Sequence, residues 1–202
     1  MNSFTQIIQI PYNVSVFWRK NQFVFQGPLG ILNFCPSKHS KGSTGFRIRL
    51  ARQENFITDK NPQWELLVEN PEKTRQIQAY GNTLISLIRQ KILGVSQGFF
   101  LTLDIQGIGY RVNIRKGQIF FKLGYSHEII LDSSPHLRIF SPKTNLLCVY
   151  SINFHELTQF CETIRRLKKP EPYKGKGIRF QGQTVSLRIG KTKKRLPYFV
   201  KT

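Results

Sequence analysis

A short repeat of its own sequence constrains the fold of this chain more than any other feature. Residues 16–25 align without a gap on residues 112–121, and both copies carry the same Arg-Lys-x-Gln turn. Apolar positions flank that turn on both sides, which is typical of a two-stranded hairpin. Further strand-like segments and then one amphipathic helix follow each copy. The pattern indicates an internal duplication.

The two predicted helices have recognisable ends. Asn70-Pro71-Glu72 supplies a cap, a first-turn proline and an acid at the positive end of the helix dipole, and Gly94 ends this first helix. Asn153 with Glu156 three residues later resembles a capping box for the second helix, which runs to Leu167. Together with the strand patterns, these helices predict an α+β protein.

The duplication predicts two domains, each with several strands followed by one helix. We place the first domain at residues 1–95 and the second at residues 96–180. Residues 181–202 form a basic C-terminal tail in this interpretation, because a run of Lys and Arg follows Gly190. The polar stretch 36–45 reads as an exposed loop of the first domain.

The charge of the chain narrows the choice of partner. It has 202 residues, 31 Lys plus Arg, 11 Asp plus Glu and a net charge of +20. Such self-repulsion favours a polyanionic partner, so nucleic acid is the first candidate and an anionic membrane the second. Hydrophobic residues make up 40% of the chain, which is enough to form a core. No apolar run is long enough to span a bilayer.

The most basic part of the sequence surrounds residues 170–180, PEPYKGKGIRF, which we treat as a loop. Pro170 and Pro172 favour extended backbone and stop the preceding helix. Gly175 and Gly177 remove side-chain bulk, so that backbone N–H groups and lysine heads could approach one anionic surface. Tyr173 could stack on a base or a sugar. A solvated basic loop with two structural glycines is the alternative.

The sequence offers no catalytic or metal-binding constellation. The acids Asp104, Glu128, Asp132 and Glu156 are scattered, without the spacing of an acid–base pair. Gly190-Lys191-Thr192 resembles the end of a phosphate loop, but Val185 stands where the first glycine is required. The three cysteines and four histidines lack metal-ligand spacing, and the odd number of cysteines fits reduced thiols in apolar settings. We therefore expect no enzyme activity, no cofactor and no metal.

These motifs together resemble a known family. The loop at 170–180 is similar to the signature PEPYKGKGIRY of large-subunit ribosomal protein six, with Phe180 in place of the final tyrosine. The resemblance continues through GVSQGF at 94–99, GIGYR at 107–111 and LGYSH at 123–127. It is specific in the second half of the chain, whereas residues 36–69 depart most from the family pattern.

The resemblance implies a pair of duplicated α+β domains, each an antiparallel sheet packed against one helix. It also implies that the second domain and the basic C-terminal end bind large-subunit rRNA. It also implies a position near the sarcin–ricin loop and the stalk base, among neighbouring large-subunit ribosomal proteins and where translation factors dock. The implied rRNA-binding residues of the helix end and loop are Arg165, Arg166, Lys168, Lys169, Tyr173, Lys174, Gly175, Lys176, Gly177 and Arg179. We add Lys191, Lys193, Lys194 and Arg195 as a hypothesis for the tail, with a solvated tail as the alternative.

Two further expectations are less direct. Frequent Ile, Phe and Lys and a divergent first half favour a mitochondrial ribosome, with a plastid or the bacterial cytoplasm as alternatives. A free nucleic-acid-binding regulator or RNA chaperone is the competing function, and it would expose aromatic platforms on a sheet. Most aromatic residues here occupy alternating, core-like positions instead.

Overall fold

The computed structural model describes residues 4–20, 22–36, 47–53, 63–70, 75–115 and 117–188. The elements of the first copy are β1 Phe4–Ile10, β2 Ser15–Arg19, β3 Gln22–Gly27, β4 Gly30–Phe34, β5 Arg47–Gln53, β6 Gln63–Asn70 and α1 Arg75–Ser96. Those of the second copy are β7 Phe99–Gln106, β8 Arg111–Arg115, β9 Gln118–Lys122, β10 Ile129–Asp132, β11 Arg138–Lys143, β12 Leu146–Ser151 and α2 Phe154–Leu167, followed by β13 Gly177–Phe180. Most of the predicted loop at 36–45 and the predicted Pro71-Glu72 helix start lie outside the described residues.

The duplication extends to the topology of the sheets. In the first copy the strand orders are β1-β6-β5 and β2-β3-β4. In the second copy the corresponding orders are β7-β12-β11 and β8-β9-β10, and β13 is added beside β7. Each copy ends in one helix, so the predicted α+β class with duplicated sheet-plus-helix domains is confirmed. The strands of each copy form two sheets instead of the single sheet expected.

The repeated hairpin has the same register in both copies. Val16 pairs with Phe25 in the β2–β3 ladder, and Val112 pairs with Phe121 in the β8–β9 ladder. Corresponding residues are therefore 96 positions apart. Register is set by which side chains must face the core, and Phe25 and Phe121 are both completely buried.

The structural similarity of the two copies extends beyond the aligned residues. Before the first hairpin, the N–H of Val14 donates to the carbonyl of Pro11 at 3.0 Å. Before the second, the N–H of Tyr110 donates to the carbonyl of Gly107 at 3.2 Å. These turns are again 96 positions apart, although no residue is identical at equivalent positions of residues 11–14 and 107–110. Topology and turn geometry thus retain a duplication that the sequence shows only in its hairpins.

The described chain divides into two compact units. One contains residues up to Phe100 together with Tyr150–Thr158, and the other contains Leu101–Val149 together with the residues from Gln159 onward. In the first unit, α1 packs against β1, β3, β4 and β6. Its fully buried side chains include Phe25, Leu66, Val68, Ile88 and Val95. Those of the second unit include Leu103, Phe121, Leu147, Cys161, Ile164 and Ile178.

Asn153 caps α2, as its sequence position predicts. Its side-chain Oδ1 accepts a hydrogen bond from the N–H of His155 at 3.3 Å and from Lys91 Nζ at 3.1 Å. Its Nδ2 donates to Glu156 Oε1 at 3.0 Å. Glu156 therefore binds the cap's side chain and not its backbone N–H, because that N–H donates to Ser151 Oγ. Burial lowers the pKa of Lys91, while the charge of Glu156 opposes this shift.

Replacing Asn153 by alanine should lower the free energy of unfolding by about 1 kcal/mol, because the first turn of α2 loses its side-chain acceptor. Urea denaturation would measure this difference. Asn153→Ser is the matched control, since serine is also a good cap and should recover most of the loss. An alanine variant as stable as the wild-type protein would contradict the capping role.

Candidate nucleic-acid interface

The last turn of α2 carries a cluster of cations around one acid. Arg165 donates from Nε and Nη2 to the two carboxylate oxygens of Glu162, each at 2.7 Å. Arg166 Nε is 3.9 Å from Glu162 Oε1, and most of its side chain is exposed. Hydrogen bonding by Arg165 lowers the pKa of Glu162, and the charges of Arg165, Arg166 and Lys169 add to the effect. Arg165 is thus largely neutralised within the protein, whereas Arg166 points its charge outward.

Tyr125 anchors the chain where α2 ends. Its hydroxyl donates to the carbonyl of Leu167 at 2.9 Å. Lys168 Nζ lies 4.5 Å from the centre of the Tyr125 ring, a cation–π geometry. The sequence around Tyr125 gives no local signal of these contacts, because Leu167 and Lys168 lie more than 40 positions later.

Backbone hydrogen bonds close the basic loop, which we define as residues 168–177. The N–H of Glu171 donates to the carbonyl of Lys176 at 2.8 Å, and the N–H of Gly175 donates to that of Glu171 at 2.9 Å. At the base of the loop, the N–H of Ile178 donates to the carbonyl of Lys168 at 2.9 Å. The loop therefore has a defined conformation of its own.

The two glycines of the basic loop are buried inside it. Gly177 has a φ of +148°, and a Cβ added there would lie 2.6 Å from Pro170 Cα and 2.7 Å from the carbonyl carbon of Lys169. Gly175 has a φ of +69°, in the left-handed region that favours glycine. Glycine at both positions is therefore explained by the folding of the loop.

The last four residues of the stretch expected as a loop form β13. This strand pairs antiparallel with β7 and sets Arg179 opposite Asp104. Arg179 donates from Nε and Nη2 to Asp104 Oδ2 at 3.4 and 3.3 Å. Arg165 also lies over the Phe180 ring, with its guanidinium carbon 5.6 Å from the ring centre. A ring without a hydroxyl therefore suffices for this contact at position 180.

The predicted site residues differ in their accessibility. Arg166, Lys169, Tyr173 and Lys174 are exposed, whereas Arg165, Lys168, Lys176 and Arg179 are half-buried. Within the described ranges, no acidic side chain lies within 4.0 Å of the ammonium groups of the basic loop's lysines. Lys191, Lys193, Lys194 and Arg195 lie outside the described residues. The helix end and the basic loop thus present several unneutralised cations and one half-exposed aromatic ring.

The remaining reactive groups fit a role in packing. Cys161 is completely buried, and burial raises the pKa of its thiol to about 12, so it is protonated at neutral pH. Cys148 is also buried, with its sulfur 3.9 Å from Thr102 Oγ1. In the part of the chain that the structure describes, no group of His, Cys, Asp or Glu side chains could hold a metal ion. No helix there has the length and apolar character needed to cross a membrane.

The second copy matches a known protein family. The family model described as Ribosomal protein L6 matches residues 106–181. The matched range begins at the last residue of β7 and ends one residue after β13. It therefore contains the second hairpin, α2 and the whole basic loop.

Proposed function

From the membership of residues 106–181 in the ribosomal protein L6 family, we propose that this chain binds large-subunit rRNA through the end of α2 and the basic loop. The match supports a structural role in the large ribosomal subunit, with rRNA and ribosomal proteins as partners. We place the binding surface near the sarcin–ricin loop and the stalk base, where translation factors dock. The second domain, residues 96–180, would carry this surface.

The exposed cations of a hydrogen-bonded loop are the observation that supports this proposal most strongly. Lys169 and Lys174 extend from backbone that is fixed by the hydrogen bonds within residues 168–178. Each lysine that neutralises a phosphate releases condensed counterions, which favours binding. Tyr173, which is 55% exposed, could stack on an unpaired base or pack against a sugar.

The other predicted residues would contribute in different ways. Arg165 and Arg179 already bind Glu162 and Asp104, so we assign them mainly to positioning the surface. Gly175 and Gly177 would act by giving the basic loop its shape. Arg166, Lys168 and Lys176 would add phosphate contacts at its edges. The same role is proposed for the tail cations Lys191, Lys193, Lys194 and Arg195.

The recognition mechanism would be architectural. Folded RNA presents phosphates at fixed distances, and a protein loop of fixed shape can match that arrangement without reading a linear sequence. We further propose that the ribosome concerned is mitochondrial, on composition and sequence divergence alone. A plastid ribosome and a ribosome of the bacterial cytoplasm are the alternatives.

Reversing two charges of the basic loop should weaken incorporation into the large subunit. A tagged chain carrying Lys174→Glu plus Lys176→Glu would be followed by sucrose-gradient sedimentation at moderate and high salt. We expect the wild-type chain to stay with large subunits at high salt. The double variant should dissociate at lower salt, because two attractive phosphate contacts become repulsive.

Arg138→Glu plus Lys143→Glu is the matched control. It makes the same change in net charge at two exposed positions of β11, and we expect little change in sedimentation. A wild-type chain that runs free of subunits would favour a nucleic-acid-binding regulator or RNA chaperone. A loop variant that stays bound like the control would contradict the assignment of the interface to the basic loop.

A further inference from the structure

A second cationic feature lies on the hairpin of the second copy, outside the basic loop. Arg111 lies directly opposite Lys122 in the β8–β9 ladder. Both side chains are exposed and lie on the face of the sheet away from the buried Val112 and Phe121. Like charges directly opposite each other on a sheet are destabilising. No acidic side chain of the described residues lies within 4.0 Å of either cationic group.

The first copy shows that the hairpin does not need this charge. At the same ladder position, 96 residues earlier, Ser15 lies opposite Gln26. The arginine of the hairpin turn, by contrast, is present in both copies, as Arg19 and Arg115. An arginine common to both copies can be explained by the hairpin itself. The cationic pair occurs in one copy only, so the hairpin fold does not account for it.

Residues next to the Arg111–Lys122 pair in the chain link it to the start of the basic loop. Lys122 ends β9, and the segment that follows places Tyr125 against Leu167 and Lys168. The same segment also approaches Tyr110, the residue before Arg111, since a Cβ added at Gly124 would lie 3.2 Å from the Tyr110 ring. The pair and the start of the basic loop therefore belong to one connected part of the second unit.

We propose that Arg111 and Lys122 form a further phosphate-contacting site, which extends the rRNA-binding surface onto the outer face of the β8–β9 hairpin. The inference rests on the proposed function and adds a site to it. Backbone phosphates bound one to each cation would neutralise both and remove their mutual repulsion. The pair is thus unfavourable in the free protein and favourable in the complex, as expected of charges retained for binding.

The first copy itself supplies the test substitutions. Arg111→Ser plus Lys122→Gln gives the second hairpin the residues of the first, and the variant should be at least as stable as the wild-type chain in thermal unfolding. Filter binding of the full chain to a transcript of large-subunit rRNA would be measured over a range of KCl concentrations. The association constant K falls as salt rises, so log K plotted against log salt has a negative slope. Its magnitude should decrease by about 1.4–1.8, because each lost phosphate contact removes about 0.7–0.9. Binding at 0.1 M salt should be about 25- to 60-fold weaker.

The control Arg47→Ser plus Arg49→Ser removes two exposed cations from β5. An equal loss of binding there would show that only net charge matters and would overturn the proposal. The proposal would also be overturned if the folded Arg111→Ser plus Lys122→Gln variant bound rRNA with the same salt dependence as the wild-type chain. If the double variant does not fold, Lys122→Gln alone should reduce the slope by about 0.7–0.9, and no reduction would overturn the proposal.

The same assay separates this inference from the proposed function. Loss of binding by the Lys174→Glu plus Lys176→Glu variant alone would leave the basic loop as the interface and reject the hairpin site. Wild-type binding by both variants would reject the loop and the hairpin together. Loss of binding by both, with the β5 control unaffected, is the expected result.

Discussion

Replacing Phe121 by alanine is expected to lower the free energy of unfolding by about 3–5 kcal/mol. The ring is completely buried, in the central strand of its sheet, opposite Val112 on one side and Ile129 on the other. Truncation removes the favourable burial of the ring and leaves a cavity, because a close-packed interior relaxes only in part. Equilibrium urea unfolding would measure the change.

The duplication provides a second measurement of the same effect. Phe25 occupies the equivalent position and is also completely buried, so Phe25→Ala should cost a similar amount. Ile130→Ala is the control within the same sheet, since Ile130 is 52% exposed and should cost about 1 kcal/mol or less. A Phe121 variant no less stable than the Ile130 variant would contradict the assignment of Phe121 to the core.

Replacing Gly177 by alanine is expected to destabilise the protein by about 2–3 kcal/mol. The methyl group would stand 2.6 Å from Pro170 Cα at a φ of +148°, so the backbone of the basic loop would have to move. Hydrogen exchange should locate the change, because the Ile178 amide would lose its bond to the Lys168 carbonyl. Binding to rRNA should weaken with it.

Gly182→Ala is the matched control for this substitution. Gly182 also has a positive φ, +82°, but a Cβ added there would meet nothing within 4 Å. It should therefore show only the backbone cost, about 1 kcal/mol, and leave the Ile178 amide protected. Equal destabilisation by the two substitutions would mean that the contact with Pro170 is unimportant.

Features carried by local pattern could be predicted from the sequence. The repeated hairpins appeared because turn residues and alternating apolar positions lie within ten residues of each other. The α2 cap at Asn153 was predicted for the same reason, since its partner Glu156 is one turn away. The family motif located the basic loop, although the sequence did not show that Glu162 and Asp104 neutralise the flanking Arg165 and Arg179.

Features that join distant parts of the chain could not be predicted in this way. β13 has only four residues, within a stretch dominated by Pro and Gly, and its pairing partner β7 lies about 70 positions earlier. Asp104 and Tyr125 were likewise missed as partners of Arg179 and Lys168. The pairing of Arg111 with Lys122 did have a signal in the sequence. Extending the repeat alignment by one residue at each end makes these two residues equivalent to Ser15 and Gln26, which also pair with each other.

The hydrogen bonds that close the basic loop have a consequence for affinity. A flexible loop of ten residues would lose conformational entropy when RNA ordered it, and that loss would weaken the complex. In this protein the bonds at Glu171, Gly175 and Ile178 order the backbone during folding. In the proposed complex the entropic cost would therefore be met before the RNA binds, and the attraction between lysines and phosphates would contribute more fully to the stability of the complex.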